Sequence, residues 1–191
     1  MKELINKIKS VITLSGEAEK YVREIGTVVT YKKGTVLIRE GRIAEKTFFV
    51  LNGCLRSYCS DKDGKEYTLQ FAIRDWWISD FMSIYNNQKA SLAVECIIDS
   101  TVVEFNAKTL ANIFTLFPEF EAFQRRNLER HVVSLHRRIL NQLQLPAAER
   151  YDLFTKQYPD VDQFVPNYHI ASFLGITQQS LSRIRSERIK K

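Results

Sequence analysis

Cysteine and histidine are both scarce in this chain, and neither is clustered. The three cysteines, Cys54, Cys59 and Cys96, are too few and too scattered for a disulfide framework or a four-thiolate metal site. They are expected to be buried or half-buried free thiols on strands, with a redox-sensing thiol as the minor alternative. The three histidines, His131, His136 and His169, all fall in segments of helical pattern. A barrel enzyme that holds a metal through histidines and a carboxylate on its strands therefore lacks its ligands. Glycine is also sparse, and the seven present are isolated turn positions rather than a phosphate-cradling loop. No Ser/His/Asp constellation is evident, so no enzyme activity, metal or cofactor is expected. No apolar run reaches the about 18 residues of a membrane span. The N-terminal stretch MKELINKIKSVITLSGEAEK lacks the apolar block and small-residue cleavage site of a signal peptide, so a cytoplasmic protein with no membrane partner is expected.

Apolar residues are plentiful by contrast. They make up 45% of the 191 residues, enough for a real core in one large domain or two small ones. The net charge of +6 is uneven. Between Ile170 and Lys191 the basic residues Arg183, Arg185, Arg188, Lys190 and Lys191 face only Glu187. A basic excess gathered in one terminal segment is the footprint of a nucleic-acid contact, although a short solvated tail looks similar.

The texture changes twice along the chain. Up to about Glu24, Leu4, Ile5, Ile8, Val11 and Ile12 recur at helical spacing. From Gly26 short β-type runs alternate with turn residues. Thr47–Leu51 leads into Asn52-Gly53, a strong hairpin signal because both residues tolerate positive φ. Cys54–Cys59 continues to a second turn at Asp61–Gly64. After it Tyr67, Leu69 and Phe71 are expected to form the buried face of a strand. Ala93–Ile98 and Thr101–Phe105 close a set that predicts an antiparallel barrel, sandwich or jelly roll. Beyond Phe105 the pattern is helical. Lys108–Phe117 forms a short amphipathic helix, and Pro118 can open a long one running to Leu145. Along that helix Leu128, Val132, Leu135, Ile139 and Gln142/Leu143 make a narrow apolar seam. Charged residues, Arg137 and Arg138 among them, flank it. A parallel copy of the same helix is the expected partner, and packing on the chain's own strands is the alternative. Leu145-Pro146 ends the helix, and Ala147–Gln157 forms the next.

The last segment carries the functional signal. In Ile170-Ala-Ser-Phe-Leu-Gly175-Ile-Thr-Gln-Gln-Ser180-Leu-Ser-Arg-Ile-Arg185, Ala171 is small where two helices would cross. Gly175 supplies positive φ for leaving the first helix, Ile176 plugs the corner, and Thr177 is a good N-cap for the second. Leu181 and Ile184, three apart, would bury the inner face. The opposite face carries Gln179, Ser182, Arg183, Ser186 and Lys190, with Gln178 beside it at the N-terminal end. This is a helix-turn-helix pattern. In the major groove arginine can pair with guanine, and glutamine with adenine. Thr177, Ser180 and Arg185 are placed for phosphates, and Arg188, Lys190 and Lys191 would add sequence-blind attraction.

Taken together, these motifs resemble the Crp/Fnr family of regulators over nearly the whole chain. The segments Lys33–Gly41, Phe49–Arg56 and Asp63–Glu66 resemble its cyclic-nucleotide-binding β-roll, Pro118–Leu145 its dimerisation helix, and Ile170–Arg185 its recognition unit. The implied fold class is α+β. An antiparallel, jelly-roll-like β-roll with flanking helices spans 1–117, a long dimerisation helix 118–145, and a helix-turn-helix domain 146–191. The resemblance places the base-reading side chains on Gln178, Gln179 and Arg183. Many relatives carry a glutamate where Gln179 stands, so the target sequence need not match theirs. The resemblance also implies double-stranded DNA and a second copy of the chain as partners, with RNA polymerase a further candidate. Dimerisation would use Leu128, Val132, Leu135 and Ile139. A small-molecule effector, if there is one, would sit near Trp76, Trp77, Ser79, Asp80 and Ser91. Nucleotide-binding members carry a Gly-Glu pair for the ribose and an arginine for the cyclic phosphate; here Ile78-Ser79 and Ala90 stand in those places, and Lys89 is one position off. Cyclic AMP is therefore not the expected effector, and constitutive binding is equally open. The competing reading is a β-roll sensor that acts through protein contacts without binding DNA.

Overall fold

The computed structural model describes residues 1–189. Two helices open the chain, α1 (Lys2–Lys9) and α2 (Gly16–Ile25), the second capped by Ser15, whose hydroxyl accepts the Ala18 N–H. Eight strands follow: β1 (Gly26–Tyr31), β2 (Val36–Ile38), β3 (Lys46–Asn52), β4 (Leu55–Ser60), β5 (Glu66–Ala72), β6 (Trp77–Ile78), β7 (Ala93–Cys96) and β8 (Ser100–Asn106). A short helix, α3 (Phe81–Asn86), interrupts them after β6. The strands form two four-stranded sheets, ordered β1-β8-β3-β6 and β2-β7-β4-β5. The pairs β1–β8, β3–β8, β3–β6 and β2–β7 are antiparallel, as a jelly-roll-like sandwich requires.

Strand β3 shows how the layers are built. Its residues Thr47 to Leu51 are buried without a break, because both of its faces are covered. Phe48 and Val50 join Leu55, Val94, Cys96 and Val102 between the sheets. Phe49 and Leu51 point the other way and meet Leu4, Ile8 and Val22 from the N-terminal helices. Ile113 of α4 (Ala107–Leu116), with Phe120 and Phe123 at the start of the long helix, completes that second cluster.

The long helix is α5 (Glu119–Gln144), within one residue of the expected start and end. Then come α6 (Ala147–Gln157), α7 (Val161–Phe164), α8 (Asn167–Leu174) and α9 (Gln178–Ile189). Two compact units result: residues 1–57 with 71–130, and residues 58–70 with the chain from His131 onward. The expected boundaries do not include the assignment of the 58–70 hairpin to the C-terminal unit. Among the described residues no helix is long and apolar enough to cross a membrane.

Two expectations are corrected. Asn52-Gly53 is a positive-φ turn, with Gly53 at φ 101°, but it is not a hairpin. The strands it joins, β3 and β4, lie in different sheets, and a Cβ at Gly53 would collide with Ser100. The Ser100 hydroxyl instead accepts the Cys54 N–H, which fixes the corner. In β5 only Phe71 of the expected face is buried: Thr68 and Gln70 are buried in place of Tyr67 and Leu69, which are each 42% exposed. The Tyr67 ring lies beneath the Lys65 ammonium and its hydroxyl bonds to Asp61, so the aromatic side is held at the surface of the hairpin.

Candidate functional site

Helices α8 and α9 are joined by a three-residue turn. Gly175 sits at φ 67°, in the left-handed region, and the Ile176 N–H returns to the Ala171 carbonyl at 3.0 Å. Thr177 then starts α9: its hydroxyl accepts the Ser180 N–H at 3.1 Å and bonds the Ser180 hydroxyl at 3.0 Å. Leu181 and Ile184 are buried on the inner side of α9, and Ile170, Ala171, Phe173 and Leu174 on that of α8. They pack with an aromatic cluster in which Phe173 lies 5.5 Å from Phe154 and 5.7 Å, edge-on, from Tyr158.

The outer side of α9 carries Gln178, Gln179, Ser182, Arg183 and Ser186, all exposed. Ser180 is half-buried, since its hydroxyl is held by Thr177. The other two arginines of the helix behave differently from Arg183. The Arg185 guanidinium bonds Asn167 at 2.5 Å, the Tyr151 hydroxyl at 3.2 Å and the Asp162 carbonyl at 3.4 Å. Arg188 makes a two-pronged pair with Asp152 at 2.9 and 2.7 Å. Both arginines therefore brace the helices, and Asp152 offsets one positive charge. Lys190 and Lys191 lie outside the described residues.

A third brace was not expected from the sequence. Arg138, one of the charged residues flanking the apolar seam of α5, turns inward. It donates to the carbonyls of Leu69, Thr68 (3.0 Å) and Phe173 (3.1 Å) and lies 4.1 Å over the Phe173 ring. Burial pushes its pKa down from the usual arginine value. Beside it Ser172 acts as a surrogate strand partner for the hairpin: its hydroxyl accepts the Thr68 N–H and donates to the Glu66 carbonyl, both at 2.8 Å. An edge strand with open N–H and C=O groups is a liability, and these side chains close it. The nearest sequence signal is an arginine within two residues of the apolar seam.

That seam runs along α5. Leu128, Val132 and Ile139 are about half exposed and Leu135 is partly covered, while Val133, Leu140 and Leu143 widen the apolar strip. His131 lies beside it, and burial lowers its pKa from the usual histidine value.

The five residues expected around an effector do not share one wall. Trp76 packs into the core between the sheets, whereas Trp77 packs on the helix-covered side, 5.3 Å from Phe49 and 5.7 Å from Phe105. Ser79 is buried and donates to the Lys46 carbonyl at 2.8 Å. Asp80 and Ser91 do meet, through a 2.7 Å bond from the Ser91 N–H to the Asp80 carboxylate. The buried thiols offer little chemistry: Cys54 is pushed up to about 12 by burial and by neighbouring Cys96, and Cys96 to about 11, chiefly by burial.

Comparison with known proteins agrees with this architecture. The family model for the cyclic nucleotide-binding domain matches residues 28–116. FixK2 from Bradyrhizobium japonicum superposes with a TM-score of 0.73 at 20% identity, covering 85% of this chain and 84% of that one. The c-di-GMP-responsive global regulator CLP of Xanthomonas campestris gives 0.70 at 13% identity, with 92% of each chain covered. A Crp/Fnr-family regulator from Eubacterium rectale gives 0.71 at 16% identity, over 93% and 85%. The chain has the Crp/Fnr regulator fold. CLP and the Eubacterium rectale protein are named as regulators. No curated protein matches the chain in sequence.

The Crp/Fnr fold makes a cyclic nucleotide the ligand to be tested against the β-roll. The residues present do not fit one. Ala90, at the position the resemblance gives to the phosphate-binding arginine, is apolar and 3% exposed. The adjacent Ser91 and Leu92 N–H groups already donate to the Asp80 carboxylate, at 2.7 and 2.9 Å. A second anion there would face a buried carboxylate instead of a guanidinium, at a cost of several kcal/mol.

Proposed function

We propose that this protein is a sequence-specific DNA-binding transcription regulator that acts as a homodimer on an inverted repeat. The observation that carries the reading is the outer row of α9. Gln178, Gln179, Ser182 and Arg183 are displayed on a helix whose opposite face is anchored by Leu181 and Ile184. Gln178 and Gln179 occupy the first turn, the part of a recognition helix that reaches base edges. Thr177, Ser180 and the α9 N-terminal amides supply phosphate contacts, with Arg185 available only if its internal bonds loosen.

The apolar strip of α5, centred on Leu128, Val132, Leu135 and Ile139, pairs with its copy in a second chain, as a seam of this spacing does in a coiled coil. Such pairing brings two recognition helices to successive major-groove faces, about 34 Å apart. The regulator does not respond to cyclic AMP; it either binds DNA constitutively or responds to a different effector. The relatives' named signals, such as c-di-GMP for CLP, do not transfer at 13% identity.

Binding of duplex DNA measured by fluorescence anisotropy between 50 and 200 mM salt tests the reading. A dimer with six or more phosphate contacts loses about 10³-fold or more in affinity over that range. A module working through protein contacts alone shows no duplex affinity at any of these salt concentrations.

A further inference from the structure

A buried carboxylate in the β-roll plays no part in the function proposed above. Asp80 is 0% exposed. Its Oδ1 accepts the Ser83 N–H at 2.9 Å, the usual bond of a residue capping a helix start. Its Oδ2 leaves α3 altogether. It accepts two consecutive main-chain N–H groups, Ser91 at 2.7 Å and Leu92 at 2.9 Å, eleven and twelve positions along the chain. Consecutive backbone N–H groups converging on one oxygen form an anion seat. All three bonds come from main-chain donors, and no lysine or arginine side chain is among the described partners of this carboxylate.

The surrounding bonds show what the carboxylate holds in place. The Ser83 hydroxyl accepts the Ala44 N–H and donates to the Gln88 carbonyl, and the Gly41 and Ala90 backbones bond across at 2.8 Å. Asp80 thus ties the start of α3 to the entrance of β7 within a single buried cluster. In a domain whose family is named for an anionic ligand, the anion at this point is the chain's own.

We propose that the Asp80 carboxylate is the resident anion of this β-roll. It fills the main-chain seat at Ser91 and Leu92 from within, so that segment 80–92 is ordered without any cyclic nucleotide. The inference concerns the β-roll alone and stands whether or not α9 binds DNA.

Thermal melting of the full chain tests it, using the variants D80A and D80N. Either substitution lowers the melting temperature by roughly 5–15 °C, because buried N–H groups lose their acceptor. The alanine variant keeps Cβ and leaves a space of formate size. Sodium formate therefore raises its melting temperature by several degrees more than sodium chloride at equal ionic strength. The asparagine variant fills the space and gains nothing beyond chloride. The wild-type chain melts at the same temperature with and without millimolar cyclic AMP or cyclic GMP. Formate rescue requires that the vacated main-chain seat accept a carboxylate from outside the chain. The proposal is overturned if D80N melts like wild type, if folded D80A gains no more from formate than from chloride, or if a cyclic nucleotide raises the wild-type melting temperature. Where D80A does not fold, the D80N melt decides. Where neither variant folds, the wild-type melts decide, an upward shift overturning the proposal and no shift supporting it.

Discussion

Segment 80–92 and helix α9 are both short stretches rich in polar groups, and they use those groups in opposite ways. Around Asp80 the groups turn inward and satisfy one another: the carboxylate takes three N–H donors, and the Ser83 hydroxyl bridges two backbone segments at Ala44 and Gln88. Along α9 the inner side is closed by Leu181 and Ile184, while Gln178, Gln179, Ser182 and Arg183 face outward. A site whose donors are already answered has little left for a ligand. A row of displayed donors and acceptors on a firmly anchored helix has its whole capacity left for a partner. The same division runs within α9, where Arg185 and Arg188 are held internally and Arg183 is not.

The comparison breaks most visibly if the anchor of α9 is removed. Leu181→Ala deletes a fully buried side chain and should cost about 2–5 kcal/mol of stability. Circular-dichroism melting checks this, and a cost near zero would mean that the inner side of α9 is not packed as described. A smaller but more selective effect is expected at Arg183→Ala. Specific duplex affinity should fall by about 1–3 kcal/mol, through lost discrimination at one base position per half-site, with melting unchanged. An unaltered base preference in that variant would remove Arg183 from the reading role. The smallest change is Thr177→Ala, which removes the cap on the Ser180 N–H and should cost about 1 kcal/mol. Its melting temperature should drop by only a few degrees, well short of the Leu181→Ala loss.

Much of this was legible in the sequence where the cause is local. Gly175, Thr177 and the Leu181/Ile184 spacing specify a turn, a cap and a buried face within ten residues, and the structure places all three as expected. Helix α6 and the long α5 were similarly readable from periodicity and the prolines that bound them. The misreadings fall where the deciding partner is distant. Tyr67 and Leu69 look like a core face, but the buried side of β5 is set by α8 and Arg138, roughly 70–105 positions away. Asn52-Gly53 specifies a turn, yet only Ser100 and the sheet order determine that it joins two sheets. Asp80 is a good N-cap residue for α3, and its bond to the Ser83 N–H is the local part of its role. Nothing in the sequence points to the second oxygen of Asp80, because its donors are main-chain groups on another element.

Selection of bound duplexes from a random pool by the purified full-length chain puts the role of the outward row of α9 to the most direct test. The account predicts enrichment of an inverted repeat with half-sites about one helical turn apart. The Arg183→Ala variant should relax one symmetric position of that repeat. Recovery of no sequence above background, or of a motif without two-fold symmetry, would contradict it.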